Sequence, residues 1–320
     1  MNLYLRYPEW ISPTIIPGLP IRWYGLMYLV AFGLAYVLTV VQLKQQRSGV
    51  LARVGREDIA DLFFWIILGI IIGARIVAAT VYDTSGTYIS KPWLIFWPFD
   101  EEMNFTGLAG MSYHGGLIGG IIAFLLYSKR KRLPILATGD LLSAAIPLGY
   151  TFGRIGNFLN MELYGRVTTL PWGVLFPHAR RLPTSVPAVR ETAATVGIDV
   201  TGQELVNLPR HPSQLYEAFL EGVLLWFILW FVFRKRKPFD GFLIGAYLIG
   251  YSVARFIAEY FRTPDPGLDF VLQLGTENNP PWLLLSPFNF TMGQILSVLM
   301  ALGGVIFLVV VRARQRTPNR

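Results

Sequence analysis

The 320-residue chain contains no cysteine, which excludes disulfides, thiolate metal sites and a cysteine nucleophile of its own. Histidine is nearly absent too. His114, His178 and His211 are the three present, too scattered to suggest a metal site, so no metal is expected, and nothing suggests an organic cofactor. Charge is scarce: 15% of residues are charged, against about 25% in soluble domains. In its place 53% are hydrophobic and the mean hydropathy is +0.46, a balance that points to a membrane. No internal repeat is evident. Residues 1–20 carry Arg6 but no basic-then-apolar run, so they are not read as a cleavable signal peptide.

What is present is a series of apolar runs. A helix crosses the hydrocarbon core with about 20 mostly apolar residues, and seven stretches qualify: 22–43, 59–81, 108–127, 133–152, 215–233, 241–261 and 290–311. The third is the least apolar, holding Ser112, His114 and five glycines. These runs predict an all-α, polytopic bundle of seven transmembrane helices forming a single integral membrane domain over 1–320. Residues 153–214, of mixed polarity and rich in proline, are read as an extramembrane head between spans four and five.

Positive charge orients the chain. Basic clusters follow span one (Lys44, Arg47, Arg53, Arg56), span three (Lys129, Arg130, Lys131, Arg132), span five (Arg234, Lys235, Arg236, Lys237) and span seven (Arg312, Arg314, Arg316, Arg320). They hold 16 of the 28 basic residues and fall on one side of a seven-span chain. The loop after span two instead carries Asp83, Asp100, Glu101 and Glu102 against Lys91. The N-terminus is therefore expected outside, with the head, and the C-terminus in the cytoplasm. The net charge of +8 is a topology signal, and nucleic acid is not an expected partner.

Ionisable residues inside spans cost at least ~2.5 kcal/mol each at the bilayer centre and usually mark function. Here they are Arg75, His114, Asp140, Glu217, Glu221, Arg255 and Glu259. Counted from the cytoplasmic clusters at about 1.5 Å per residue, Arg75, Glu217 and Arg255 lie roughly 26 Å up and His114 and Tyr251 near ~21 Å. Tyr24 and Gln294 reach the outer third, Arg154 and Glu259 lie close to the outer boundary, and Asp140 alone sits in the inner half. One such residue can snorkel to water or pair structurally, and Arg75, Glu217 and Glu259 also read as internal ion pairs. A coincident ring of Arg, His and Tyr is harder to dismiss. Guanidinium forks suit phosphate and imidazole exchanges a proton near neutral pH, so the ring predicts chemistry on a phospholipid headgroup.

The run Gly153-Arg154-Ile155-Gly156-Asn157-Phe158-Leu159-Asn160-Met161-Glu162-Leu163-Tyr164-Gly165-Arg166 stands at the outer boundary. Its glycines permit a tight turn or close approach to a ligand, while Arg154, Asn157, Asn160, Glu162 and Arg166 offer hydrogen bonds to an anionic, hydroxyl-bearing head. The theme returns in Arg22-Trp23-Tyr24-Gly25, Tyr113-His114-Gly115-Gly116, Arg210-His211-Pro212-Ser213-Gln214-Leu215-Tyr216-Glu217, and Gly250-Tyr251 with the stretch from Arg255 to Arg262. In these motifs, which appear in the same order, the chain closely resembles the bacterial phosphatidylglycerol–prolipoprotein diacylglyceryl transferases. The resemblance runs from Trp23 to about Gln294. Residues 182–207 and the C-terminal tail match nothing and receive no role.

The resemblance implies transfer of a diacylglyceryl group from phosphatidylglycerol to the lipobox cysteine thiol of a prolipoprotein signal peptide, with release of glycerol 1-phosphate. The setting would be the bacterial cytoplasmic (inner) membrane, with the site toward the outer leaflet, among membrane lipids. Arg154 and Arg255 would clamp the phosphate, and His114 would deprotonate the thiol or bind the headgroup. Tyr24, Tyr251, Asn157 and Gly165 would form the headgroup cradle, with Asn160, Glu162, Arg166, Glu217, Glu259 and Arg262 orienting or structural. Lipid and peptide would enter between helices; the sequence does not say which helices form the gates, and the glycine-rich segments are the first places to look. A lipid or anion carrier is the rival, though it should show repeat symmetry and a midplane site. A retinal-type receptor lacks its lysine in span seven, and an intramembrane protease would need more than Asp140 and has no Gly-x-Ser-Gly.

Overall fold

The computed structural model describes residues 4–16, 22–46, 49–83, 86–99, 103, 110–264, 267, 269–275, 282 and 286–316. Arg47, Asp100, Glu101, Glu102, Arg320 and the start of the third predicted span at Leu108 lie outside the described residues. Among those described, six helices are long and apolar enough to cross a membrane: α1 (Trp23–Gln45), α2 (Arg56–Tyr82), α5 (Ile135–Leu159), α7 (Ser213–Phe233), α8 (Phe242–Glu259) and α9 (Met292–Arg316). Between them lie the short α3 (Thr87–Ser90), α4 (Tyr113–Arg130) and α6 (Pro187–Val196). The chain is a polytopic helical membrane protein. The predicted third span forms α4, but this helix is not among the six.

Contacts divide the chain into two units, Tyr36–Thr138 and Met1–Ala35 with Gly139–Arg320. In the first, α2 and α4 meet through glycines. A Cβ on Gly69, Gly73, Gly115 or Gly119 would run into the opposing backbone, so these helices approach as closely as small-xxx-small packing allows. Arg75, 3% exposed, donates from Nε to the Ile95 carbonyl at 2.7 Å and from Nη1 to that of Gly110 at 2.8 Å. Backbone carbonyls thus take a cation that depth alone had placed in the polar ring.

In the second unit, α5 runs two turns beyond the predicted end at 152, through Gly153 and Gly156 to Leu159. Of the two readings of these glycines, a tight turn or a close approach to a ligand, the turn does not form at Gly153 or Gly156. Glycine costs a helix only about 1 kcal/mol against alanine, and Gly156 gives room to Tyr24 and Met27 of α1. The helix stops where the buried Tyr7 hydroxyl donates to the Phe158 and Leu159 carbonyls at 3.2 and 3.3 Å. That burial raises the Tyr7 hydroxyl to about 12. Asp140, the depth exception, caps α8 instead of serving a site. Its carboxylate accepts from the Gly241 and Leu243 amides at 2.9 Å each and from Lys237 Nζ at 3.1 Å, which favours an anion at a helix N-terminus.

The segment 182–207 folds on its own small core. Strand β3 (Leu182–Pro183) pairs antiparallel with β4 (Leu205–Val206). Val189 and Ala193, one turn apart on α6, pack on Leu182, Val206, Leu208 and Val167. The N-terminal strand β1 (Leu5–Arg6) pairs parallel with β2 (Val174–Leu175), and β5 (Leu272–Gln273) pairs antiparallel with β6 (Asn289–Phe290), which leads into α9.

Candidate active site

Three helices of the second unit each carry polar residues four apart: Tyr150 and Arg154 on α5, Glu217 and Glu221 on α7, and Tyr251, Arg255 and Glu259 on α8. That spacing puts them on one helix face, and the three faces meet. Arg154 Nη1 and Arg255 Nη1 lie 3.0 and 2.9 Å from the same atom, Glu217 Oε2. Arg154 Nε donates to the Tyr150 hydroxyl at 2.5 Å, which donates to Glu221 Oε2 at 2.5 Å. Glu221 Oε1 lies 3.6 Å from Arg255 Nη1. Tyr150, Arg154, Glu217, Arg255 and Glu221 thus close a ring of side chains.

The ring is anchored outside itself. Arg255 Nη2 reaches Glu259 Oε2 at 2.8 Å, and Glu259 Oε1 accepts from Thr291 Oγ1 at 3.1 Å. Gly293 of α9 makes room, since a Cβ there would press on the Glu259 carboxylate. The segment Ala218–Leu224 of α7 has wide π-helical turns, which recur at functional sites, and Thr151 Oγ1 donates to the Ala218 carbonyl at 3.3 Å. Glu217 is fully buried, whereas each arginine side chain keeps 14% exposure. Charges this buried persist only when paired and hydrogen-bonded.

A polar extension leads from the ring toward the end of α5. Arg154 Nη1 donates to Asn157 Oδ1 at 3.5 Å, Asn157 Nδ2 to Glu162 Oε1 at 2.7 Å, and Gln214 Nε2 to the Glu162 carbonyl at 2.6 Å. Glu162 and Asn160 also line an open cavity of about 420 Å³ with Arg22, Tyr24 and Gly25. Beyond it the motifs interlace through their backbones. Gly165 N donates to the His211 carbonyl and Arg166 N to that of Phe261, each at 2.9 Å, while Arg166 Nε donates to the Arg262 carbonyl at 2.9 Å. A Cβ on Gly165 would collide with Phe261 and His211, so its close approach is to protein backbone.

The family model described as prolipoprotein diacylglyceryl transferase matches residues 13–310. The chain belongs to this family. Relatives named phosphatidylglycerol–prolipoprotein diacylglyceryl transferase include one from Treponema denticola, 47% identical over 99% of this chain and 97% of the relative. One from Treponema pallidum is 49% identical over 95% and 94%, and one from Chlorobaculum tepidum 39% over 98% and 93%. The chain is accordingly a transferase of the prolipoprotein diacylglyceryl transferase family.

Of the residues singled out from sequence, Arg154, Asn157, Glu162, Glu217, Tyr251, Arg255 and Glu259 come together around the ring or its extension. Tyr251 does so edge-on to the Tyr150 ring at 5.8 Å. Tyr24 and Asn160 line the cavity, and Gly165, Arg166 and Arg262 form the backbone weave. His114 belongs to the other unit. It sits exposed in the first turn of α4, which Ser112 caps by accepting from Gly115 N at 3.1 Å. Its Nδ1 is 3.4 Å from the Tyr82 hydroxyl. Sequence reasoning missed Tyr150 and left Glu221 outside the site. The available signal was their spacing, each four residues from a residue already chosen.

Proposed function

We propose that this transferase moves the diacylglyceryl group of phosphatidylglycerol to a prolipoprotein cysteine thiol, with Arg154 and Arg255 holding the lipid phosphate. The reaction forms a bond from sulfur to the glyceryl carbon and breaks that carbon's bond to the phosphate oxygen. The thiol proton is released and glycerol 1-phosphate departs with the bonding electrons. Because this chain has no cysteine, the nucleophilic sulfur comes from the peptide substrate.

The convergence of two guanidiniums from separate helices on one oxygen carries the reading. A phosphate oxygen is the same kind of acceptor as Glu217 Oε2, and arginine stays charged at any working pH. Glu217 holds the two forks in register before substrate arrives, so little reorganisation remains at the moment of reaction. Arg154 Nη2 and Arg255 Nε carry no hydrogen bond among the described residues, which leaves donors for a ligand. Three carboxylates surround two guanidiniums here, so attraction for phosphate comes from aimed donors rather than from net charge. Asn157, Glu162, Asn160 and Tyr24 would receive the glycerol hydroxyls. A free thiol has a pKa of about 8.5, and His114 either takes its proton or binds the headgroup. We place seven spans in the inner membrane, with α4 crossing, the N-terminus and head outside, and the site facing the outer leaflet.

The test is to incubate purified protein with phosphatidylglycerol and a lipobox peptide and to look for the diacylglyceryl adduct by mass spectrometry. The parent should form it, and Arg154→Ala should lose at least about 100-fold in rate, the scale of one preorganised donor to a developing anion. Normal turnover by Arg154→Ala removes the clamp. No adduct from folded parent protein favours a lipid carrier instead. His114→Gln separates its two roles. A defect that shrinks as pH rises toward the thiol pKa marks the base, and a raised lipid KM at every pH marks the headgroup ligand.

A further inference from the structure

We propose that Tyr150 is a positioning residue of the phosphate site, aiming the Arg154 guanidinium through its Nε. The inference rests on the reading of Arg154 as a phosphate donor.

Tyr150 touches Arg154 in two ways. Its hydroxyl accepts from Nε at 2.5 Å, and its ring lies beneath the guanidinium, with Cζ 4.9 Å from the ring centroid. One contact fixes the edge of the fork and the other its plane, so rotation about the end of the side chain is blocked in both senses. The hydroxyl is itself fixed, because it donates to Glu221 Oε2 at 2.5 Å. The phenyl ring is buttressed edge-on by Tyr251 at 5.8 Å. Arg154 and Glu221 are therefore held apart by one neutral group that satisfies both.

Tyr150 is also the uncharged member of the ring. Removing its hydroxyl leaves the count of charges unchanged, so what is lost is geometry. In Tyr150→Phe, Arg154 Nε and Glu221 Oε2 both lose a partner in a buried setting, where an unmet polar group is costly. The nearest remedy is for Arg154 to pair directly with Glu221. That swings the fork away from Glu217 and from the donors that would meet the lipid.

The experiment measures lipid KM, kcat and melting temperature for Tyr150→Phe and Glu221→Ala beside the parent and Arg154→Ala. Tyr150→Phe should raise the KM for phosphatidylglycerol by about tenfold, the equivalent of one hydrogen bond to a charged group, with kcat and melting temperature nearly unchanged. Glu221→Ala frees the same hydroxyl while leaving the Tyr150 phenol whole and should raise KM likewise. The double variant should be no worse than the more affected single. A merely structural hydroxyl would lower the melting temperature and the active fraction and leave KM alone, which overturns the proposal. If Arg154→Ala is inactive while Tyr150→Phe keeps the parent KM, the positioning role fails and the clamp stands. If Arg154→Ala keeps its activity, the clamp itself fails and takes the positioning role with it.

Discussion

Burial costs an imidazolium more than a neutral imidazole, and His211 shows the consequence at the scale of one residue. Its ring packs between Phe261 and Tyr216, with centroids at 5.2 and 5.8 Å. Nδ1 lies 3.1 Å from the Tyr216 hydroxyl, which also accepts from the Trp172 indole at 2.8 Å. Burial first, and then the Arg166 charge, push the imidazole down to about 4 from its ordinary 6.5. The fold therefore favours neutral His211, while the unfolded chain takes up the proton more readily. Stability from this residue is fully present above pH 6.5 and is lost as pH falls toward 4. The melting temperature in detergent should drop across that window, and His211→Gln, which keeps a hydrogen-bonding side chain, should flatten the drop while lowering stability at pH 7. An unchanged slope in the variant would assign the acid sensitivity elsewhere. Because His211 holds Gly165 through its carbonyl, loosening it loosens the segment that follows Glu162.

At the scale of elements, glycine explains both what hydropathy read correctly and what it misread. The six apolar helices were legible because a mostly apolar run of about 20 residues already meets the length requirement of a bilayer. Helix α4 was legible as the least apolar of the seven runs, since the glycines that pack it against α2 lower its apolarity. Those glycines are thus a packing seam, and Gly115 and Gly119, four residues apart, lock α4 immediately after His114. Gly119→Val should cost on the order of 2–3 kcal/mol by overpacking, seen as a large fall in the detergent melting midpoint. Gly33→Ala, where an added Cβ meets nothing, should be neutral or gain up to about 1 kcal/mol. Equal effects at the two positions would mean the seam is not tight. In α5 the same residue type misled in the other direction, because Gly153 and Gly156 offered a tight turn or a close approach to a ligand although both are helical, Gly156 packed against Tyr24 and Met27. Depth counting found Glu217 and Arg255 at one level, with Arg154 close to the outer boundary. It set Asp140 apart but could not separate them from Arg75, whose partners are backbone carbonyls distant in sequence. Tyr150 escaped because a tyrosine near a membrane boundary is ordinary, and its role rests on a glutamate 71 residues away.

For the whole molecule, the path of α4 decides the topology by parity. If α4 stayed on one side, the chain would cross six times. The clusters after α4 and α7 and at the end of α9 would then face opposite the one after α1. With α4 crossing, all four clusters share a side, as the positive-inside rule requires. The helix has 18 residues, about 27 Å at helical rise, close to the ~30 Å hydrocarbon thickness. Its charged end, Lys129 and Arg130, can snorkel to the cytoplasmic interface. The absence of cysteine makes the test free of background: single cysteines at Arg130, Thr201 and Gln315, all exposed, can be probed with a membrane-impermeant maleimide. Thr201→Cys in the head should label in intact cells, and Arg130→Cys and Gln315→Cys only after the membrane is opened. Labelling of Arg130→Cys or Gln315→Cys from outside would take α4 out of the membrane. It would also put the Arg154–Arg255 ring on a different footing, because the side from which the thiol peptide arrives follows from the same parity.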